Sequence, residues 1–167
     1  EYDENKETND VNVFKEAVGL LRQEVKANSY VLDMWSHASG WVPNGTRRAG
    51  ISDVSASVGH FEPRELISPI MPMSVVEDIG NGSRKYMQLE DFSNALGEVK
   101  TEYGVECDLV IFDECYMAGV EVAYELRDKA KYIVSSVTEI WSGGMPYDKI
   151  LPHVFNQNIA EGAQSVC

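Results

Sequence analysis

The chain has 167 residues, 44% of them apolar and 25% charged, which is about one globular domain and excludes a disordered or fibrous polymer. Its 14 basic and 27 acidic residues leave a formal charge of −13, so a free-standing nucleic-acid binder, which needs a basic footprint against phosphates, is excluded. No apolar run approaches the ~20 residues of a bilayer span, and no signal-type leader is seen, which a trimmed secreted chain would lack as well.

In chain order, residues 1–10 (EYDENKETND) are acidic and polar and read as a leader or loop. Phe14, Ala17, Val18, Leu21 and Val25 then recur at helical spacing, with Asn9 or Asp10 placed to cap. Tyr30–Trp35 (YVLDMW) is a short apolar run of the kind buried in parallel sheets. After it the periodicity dissolves, and residues 41–86, rich in glycine and proline, read as a long insert of loops and short hairpins. Order returns over 89–100, where Leu89, Phe92, Leu96 and Val99 share one helical face. A second buried-strand run occupies 107–112 and passes directly into a predicted helix over about 116–129. A third strand is expected over 132–135. The loop 137–146 carries Gly143, Gly144 and Pro146, and an imperfect helix containing Pro152 follows.

This alternation predicts one α/β domain over residues 1–167: a parallel sheet with helices on both faces, interrupted by the long insert. Ligands of such sheets bind outside the carboxyl ends of the strands. Three segments emerge there: 36–41, the triplet Asp113-Glu114-Cys115, and the loop 137–146. The fold therefore carries His37 and Cys115, far apart in sequence, to one edge.

Those two side chains suit nucleophilic catalysis. A thiol at the start of a helix gains from unpaired N–H groups and partial positive charge, which favour thiolate. A thiolate that forms and breaks an acyl intermediate needs a proton-transfer partner, and His37 is the histidine at a strand's carboxyl end. The N–H of Cys115 and one from the turn after His37 could hold an oxyanion. The plain alternative is that Cys115 is a small buried hydrophobe and His37 a structural histidine. His60, in the insert, and His153, beside Pro152, have no comparable placement. Cys107 and Cys167 read as structural or incidental, and the three cysteines form neither a disulfide framework nor a Cys-x-x-Cys clip. No metal site is expected: Asp108, Asp113 and Glu114 near Cys115 mix hard and soft donors. The acidic leader has the composition to catch calcium, although its spacing matches no EF-hand loop.

The stretches 30–41 (YVLDMWSHASGW), 86–96 (YMQLEDFSNAL), 108–127 (DLVIFDECYMAGVEVAYELR) and 144–150 (GMPYDKI) resemble the clostripain family of cysteine peptidases, over most of residues 11–155. The resemblance implies a caspase-like fold, no required cofactor, and a catalytic dyad of His37, from the H-x-S-G-W block, and Cys115, from the D-x-C-x-M block. It implies that Asp113 lines the pocket for a basic side chain, so that protein or peptide substrates are cut after Arg or Lys. Ala38 stands where the family usually has Gly, and its N–H would join that of Cys115 in the oxyanion site. Residues 139–143 differ from the family's substrate-binding loop. Family members are commonly secreted bacterial enzymes that mature by their own cut. They also begin with a further strand and helix before Asp10 and continue past residue 155. The chain thus reads as a fragment of a larger catalytic domain, secreted or in the cell envelope, whose missing strands come from a partner chain or further segments.

Arg47 and Arg48 lie in the turn-rich stretch 43–50 (PNGTRRAG), which begins six residues after His37. They are the candidate self-cleavage site, against a plain surface loop whose arginines pair with carboxylates. Two other classes compete with the peptidase reading. One is a catalytically inactive binding or scaffold domain with the same fold. The other is a redox-responsive thiol pair of Cys115 with Cys107, which lacks an adjacent resolving cysteine.

Overall fold

The computed structural model describes residues 7–40, 74–78, 85–141, 143–156 and 158–166. Arg47, Arg48, His60, Cys167 and most of the insert lie outside the described residues. Helix α1 (Val11–Glu24) starts where the Asp10 side chain accepts the Asn12 N–H at 2.7 Å, placing an acid on an otherwise orphaned amide at the helix's positive end. Strand β1 (Tyr30–Trp35) follows. Strands β2 (Ser74–Asp78) and β3 (Lys85–Gln88) form an antiparallel pair at the end of the region read as the insert, which β3 overruns by two residues. Helix α2 (Leu89–Tyr103) leaves β3 without a break and ends at Gly104, whose φ of 68° supplies the left-handed cap that glycine adopts without a Cβ clash. Then come β4 (Cys107–Asp113), α3 (Val120–Glu125), β5 (Ala130–Val134), α4 (Tyr147–Asn156) and α5 (Ile159–Val166).

Strands β1, β4 and β5 form a parallel sheet with β4 in the middle. Each residue of β4 is buried, as a strand covered on both faces requires. Strand alternation divides its side chains between two cores. Val110 and Phe112 face a layer built by Phe14 of α1, Leu89, Phe92 and Leu96 of α2, and Val122 of α3. Leu109 and Ile111 face the opposite layer, with Val134, Ile150, Val154 and Ala163. Phe14, Phe92 and Phe112 stack in series with ring centroids 5.7 and 6.1 Å apart, tilted then edge-on, the geometry aromatic quadrupoles prefer. Each large apolar side chain buried in full contributes roughly 1.5–3 kcal/mol. Helices therefore cover both faces, and the expected α/β class is what the chain adopts.

At the amino ends of the strands, Asp108 ties three elements together. It accepts from the Ser29 hydroxyl at 2.8 Å, from the Tyr30 N–H at 3.0 Å, and from the Lys131 ammonium on β5. Burial alone would push its carboxyl up, but these donors outweigh burial and hold it below the usual aspartate range.

Two elements differ from the sequence reading. The helix expected over 116–129 is only Val120–Glu125, because the chain first turns through Tyr116 at a φ of 63° and spends its amides elsewhere. The N–H groups of Tyr116 and Ala118 donate to the carbonyls of Thr138 and Ser136 at 3.1 and 3.0 Å, so a helix cannot start there. Helix α5 was not expected. It is only eight residues long and packs on α4: a Cβ at Gly162 would stand 3.1 Å from the His153 carbonyl oxygen.

Candidate active site

Trp35, the last residue of β1, pairs with Asp113, the last of β4. His37 and Cys115 each follow two residues later, so adjacent parallel strands deliver them to the same carboxyl edge. Behind them the two loops touch through their backbones. Gly40 has a φ of 52°, and a Cβ there would overlap the Tyr116 carbonyl oxygen and lie 2.8 Å from its carbon. Only glycine fits. The loop is also fixed to β2: the Ser39 N–H donates to the Ser74 carbonyl at 3.3 Å, and the two hydroxyls are 2.9 Å apart. Ala38 and Ser39 are buried, while His37 is exposed.

Cys115 is 9% exposed and free of any disulfide. Its Sγ accepts the Ile140 N–H at 3.4 Å and lies 4.0 Å from the Ile140 carbonyl oxygen. With the bonds to Ser136 and Thr138, segment 136–140 runs against the cysteine turn along its length. This corrects the sequence expectation that a helix N-terminus polarises the thiol: α3 starts five residues after Cys115, and the aligned amide is that of Ile140.

Asp113 is 3% exposed. Its Oδ2 accepts the Met145 N–H at 2.9 Å and the Tyr147 hydroxyl at 2.6 Å, while its Oδ1 is buried with no hydrogen-bond partner among the described residues. Gly144, at a φ of 71°, leaves room for this carboxylate: a Cβ there would overlap Oδ2 and sit 3.2 Å from the Trp35 indole nitrogen. Burial, then the bond to Asp113, pushes the Tyr147 phenol far above its ordinary range. Asp33, one pleat deeper on β1, is raised by burial first; the Tyr147 bond opposes the shift and the Asp113 charge adds to it. Glu114 is 1% exposed, and neither of its carboxylate oxygens has a partner among the described residues. Around this acidic floor, Trp35 and Trp141 are largely exposed.

The remaining candidates are placed elsewhere. His153 is exposed on α4. Cys107 opens β4 at the far end of the sheet, more than about 20 Å of strand from Cys115. Burial first, then Asp108 and Glu106, pushes its thiol up to about 11, as befits a core residue, and the redox-pair reading is set aside. Among the described residues no three His, Cys, Asp or Glu side chains gather as metal ligands. Sequence reasoning missed Tyr147, Ile140 and the burial of Glu114. Tyr147 lies in the quoted GMPYDKI block, but nothing in its spacing points back to Asp113.

The clostripain family model matches residues 72–165. Clostripain of Hathewaya histolytica is 25% identical over 154 residues, covering 87% of this chain and 24% of that protein. A secreted cysteine protease from Bacteroides thetaiotaomicron, solved with an irreversible peptide inhibitor, superposes with a TM-score of 0.70 at 30% identity, covering 96% of this chain and 36% of that one. An inactive zymogen protease from Parabacteroides distasonis superposes with a TM-score of 0.64 at 25% identity, covering 99% of this chain and 36% of that one. The chain thus spans only about a quarter to a third of the relatives' lengths.

Proposed function

The chain belongs to the clostripain family of cysteine peptidases, and from that premise we propose that it is the dyad-bearing core of a secreted bacterial endopeptidase cutting after Arg, then Lys. The observation that carries this reading is the Trp35–Asp113 register, beyond which His37 and Cys115 stand equally far past adjacent strand ends. The Cys115 thiolate attacks the substrate carbonyl carbon. The C–N bond breaks as His37 protonates the leaving amine, leaving a thioester. Water, deprotonated by His37, then attacks the thioester and the thiol is released. The Ile140 N–H that meets Sγ is a donor the thiolate keeps. The N–H groups of Cys115 and Ala38 hold the developing oxyanion; one such donor typically contributes ~3–4 kcal/mol.

Specificity is assigned to Asp113, whose buried Oδ1 has no hydrogen-bond partner among the described residues. A guanidinium or ammonium meeting it would relieve a desolvated charge that costs ~3–5 kcal/mol unpaired, enough for a preference of order 10²–10³ over neutral side chains. Secretion fits the Bacteroides relative, which is a secreted enzyme. Self-cleavage after Arg47 or Arg48 follows from the same preference.

The test uses the full-length protein with fluorogenic peptides differing only in the residue before the cut bond. Arg should exceed Leu and Asp by at least about 10², and Cys115→Ala and His37→Ala should abolish turnover. Equal turnover of all three peptides would remove Asp113 from its role. Turnover that survives Cys115→Ala would sink the peptidase assignment. Mass spectrometry of the same preparations should find fragments ending at Arg47 or Arg48 in the wild type and none in Cys115→Ala; a fully active, uncut wild type refutes self-processing.

A further inference from the structure

Glu114 is left unused by the mechanism above. It sits between Asp113 and Cys115, 1% exposed, with both carboxylate oxygens buried and, among the described residues, unpartnered. Buried polar side chains are ordinarily satisfied, and buried charges are ordinarily paired. The ionisable groups acting on Glu114 are Cys115, Asp113 and, from β1, Asp33. All three are acids. Among the described residues the ion pairs involve other carboxylates (Glu7, Glu98, Glu102, Glu106, Asp108 and Asp128), and no Lys, Arg or His pairs with Glu114. An anion at Glu114 would therefore be unsolvated, unpaired and one peptide unit from the thiol.

We propose that Glu114 is a positioning residue that works as a neutral carboxylic acid, keeping a further like charge off the residue next to Cys115. Burial first, then Cys115, Asp113 and Asp33, pushes its carboxyl up to about 9, in keeping with the acid form at neutral pH. A charge on this carboxyl would oppose negative charge on the neighbouring sulfur. The proposal rests on Cys115 being the nucleophile. Alkylation reads the thiol without peptide turnover, so this proposal and the peptidase reading can fail separately.

The experiment measures iodoacetamide alkylation of Cys115 in the full-length protein from about pH 6 to about pH 11, for wild type and Glu114→Gln, with the modified peptide identified by mass spectrometry. Near pH 7 the two rates should agree within about twofold, because glutamine mimics an acid that is already neutral. Near pH 9 the wild type should lag by about three- to tenfold along a broadened profile, while the variant reaches its plateau in one step. A variant tenfold faster at pH 7 would mean that Glu114 is charged there, and superimposable profiles would mean that it does not act on the thiol; either overturns the proposal. Should Glu114→Gln fail to fold, wild-type protein carrying ¹³C-carboxyl glutamate decides. One glutamate carboxyl still protonated at pH 7 supports the proposal, and full ionisation of all of them refutes it.

Discussion

Gly40→Ala tests whether the loops behind His37 and Cys115 are set by direct backbone contact. A Cβ at this position would overlap the Tyr116 carbonyl oxygen and stand 2.8 Å from its carbon, where carbon atoms in contact prefer roughly 3.5–4 Å. No flexible side-chain tip is available to give way, so one backbone must retreat by about 1 Å. Alanine at a φ of 52° adds a further ~1–2 kcal/mol of left-handed strain. The retreat can go only into the His37 loop or the Cys115 turn, because Ser39 is bonded to Ser74 and β4 is buried along its length. A misplacement near 1 Å typically costs on the order of 10² in rate. The expected outcome is a turnover number down about 100-fold on an Arg peptide, with the Michaelis constant changed less than about threefold and the Cys115 thiol titre intact. A variant that folds and keeps more than about a third of wild-type turnover would refute the claim that this contact sets the geometry.

Tyr147→Phe removes one of the two donors on the buried Asp113 Oδ2. It should lower stability by ~1.5–3 kcal/mol, read as a lower urea midpoint at unchanged slope; a shift under about 0.5 kcal/mol would discount the bond. Asp108→Asn probes the amino-end tie. Since the folded-state carboxyl is depressed, its contribution is present above the ordinary aspartate range near about pH 4 and is lost as pH falls through the depressed value. Wild type should therefore be the more stable by ~1–2 kcal/mol at neutral pH, most of it from the Ser29 and Tyr30 donors because Lys131 is half exposed, and the two urea curves should converge on acidification. Parallel curves down to about pH 3 would refute that linkage.

The sheet was legible because its signal is continuous: β1 and β4 are largely apolar runs, and CDLVIFD is buried along its length as a strand covered on both faces should be. The helical face of Leu89, Phe92, Leu96 and Val99 was equally plain, and all four are buried. The turn after Cys115 was not. Residues 116–129 have helix-compatible composition, but the Tyr116 and Ala118 amides bind a loop some twenty residues on, a tertiary choice that local propensity does not encode. For the site, topology alone brought His37 and Cys115 to one edge. The support around Asp113 is long-range: Met145 and Tyr147 are more than thirty residues away. Glu114 was placed beside Cys115 by its position in the chain, but nothing in its type or spacing showed that it is buried.

The sheet also distributes firmness unequally between the two proposed partners. Cys115 hangs from β4, which has neighbours on both sides and cores on both faces. His37 hangs from β1, which among the described residues pairs only with β4 and leaves Trp35 exposed. Strands with fewer buried contacts open at lower free energy. Among the described residues, the strand that carries the sulfur is therefore held by more neighbours than the strand that carries the imidazole. Sequence drift in β1 can retune when the imidazole comes to bear, while drift in β4 disturbs both cores at once.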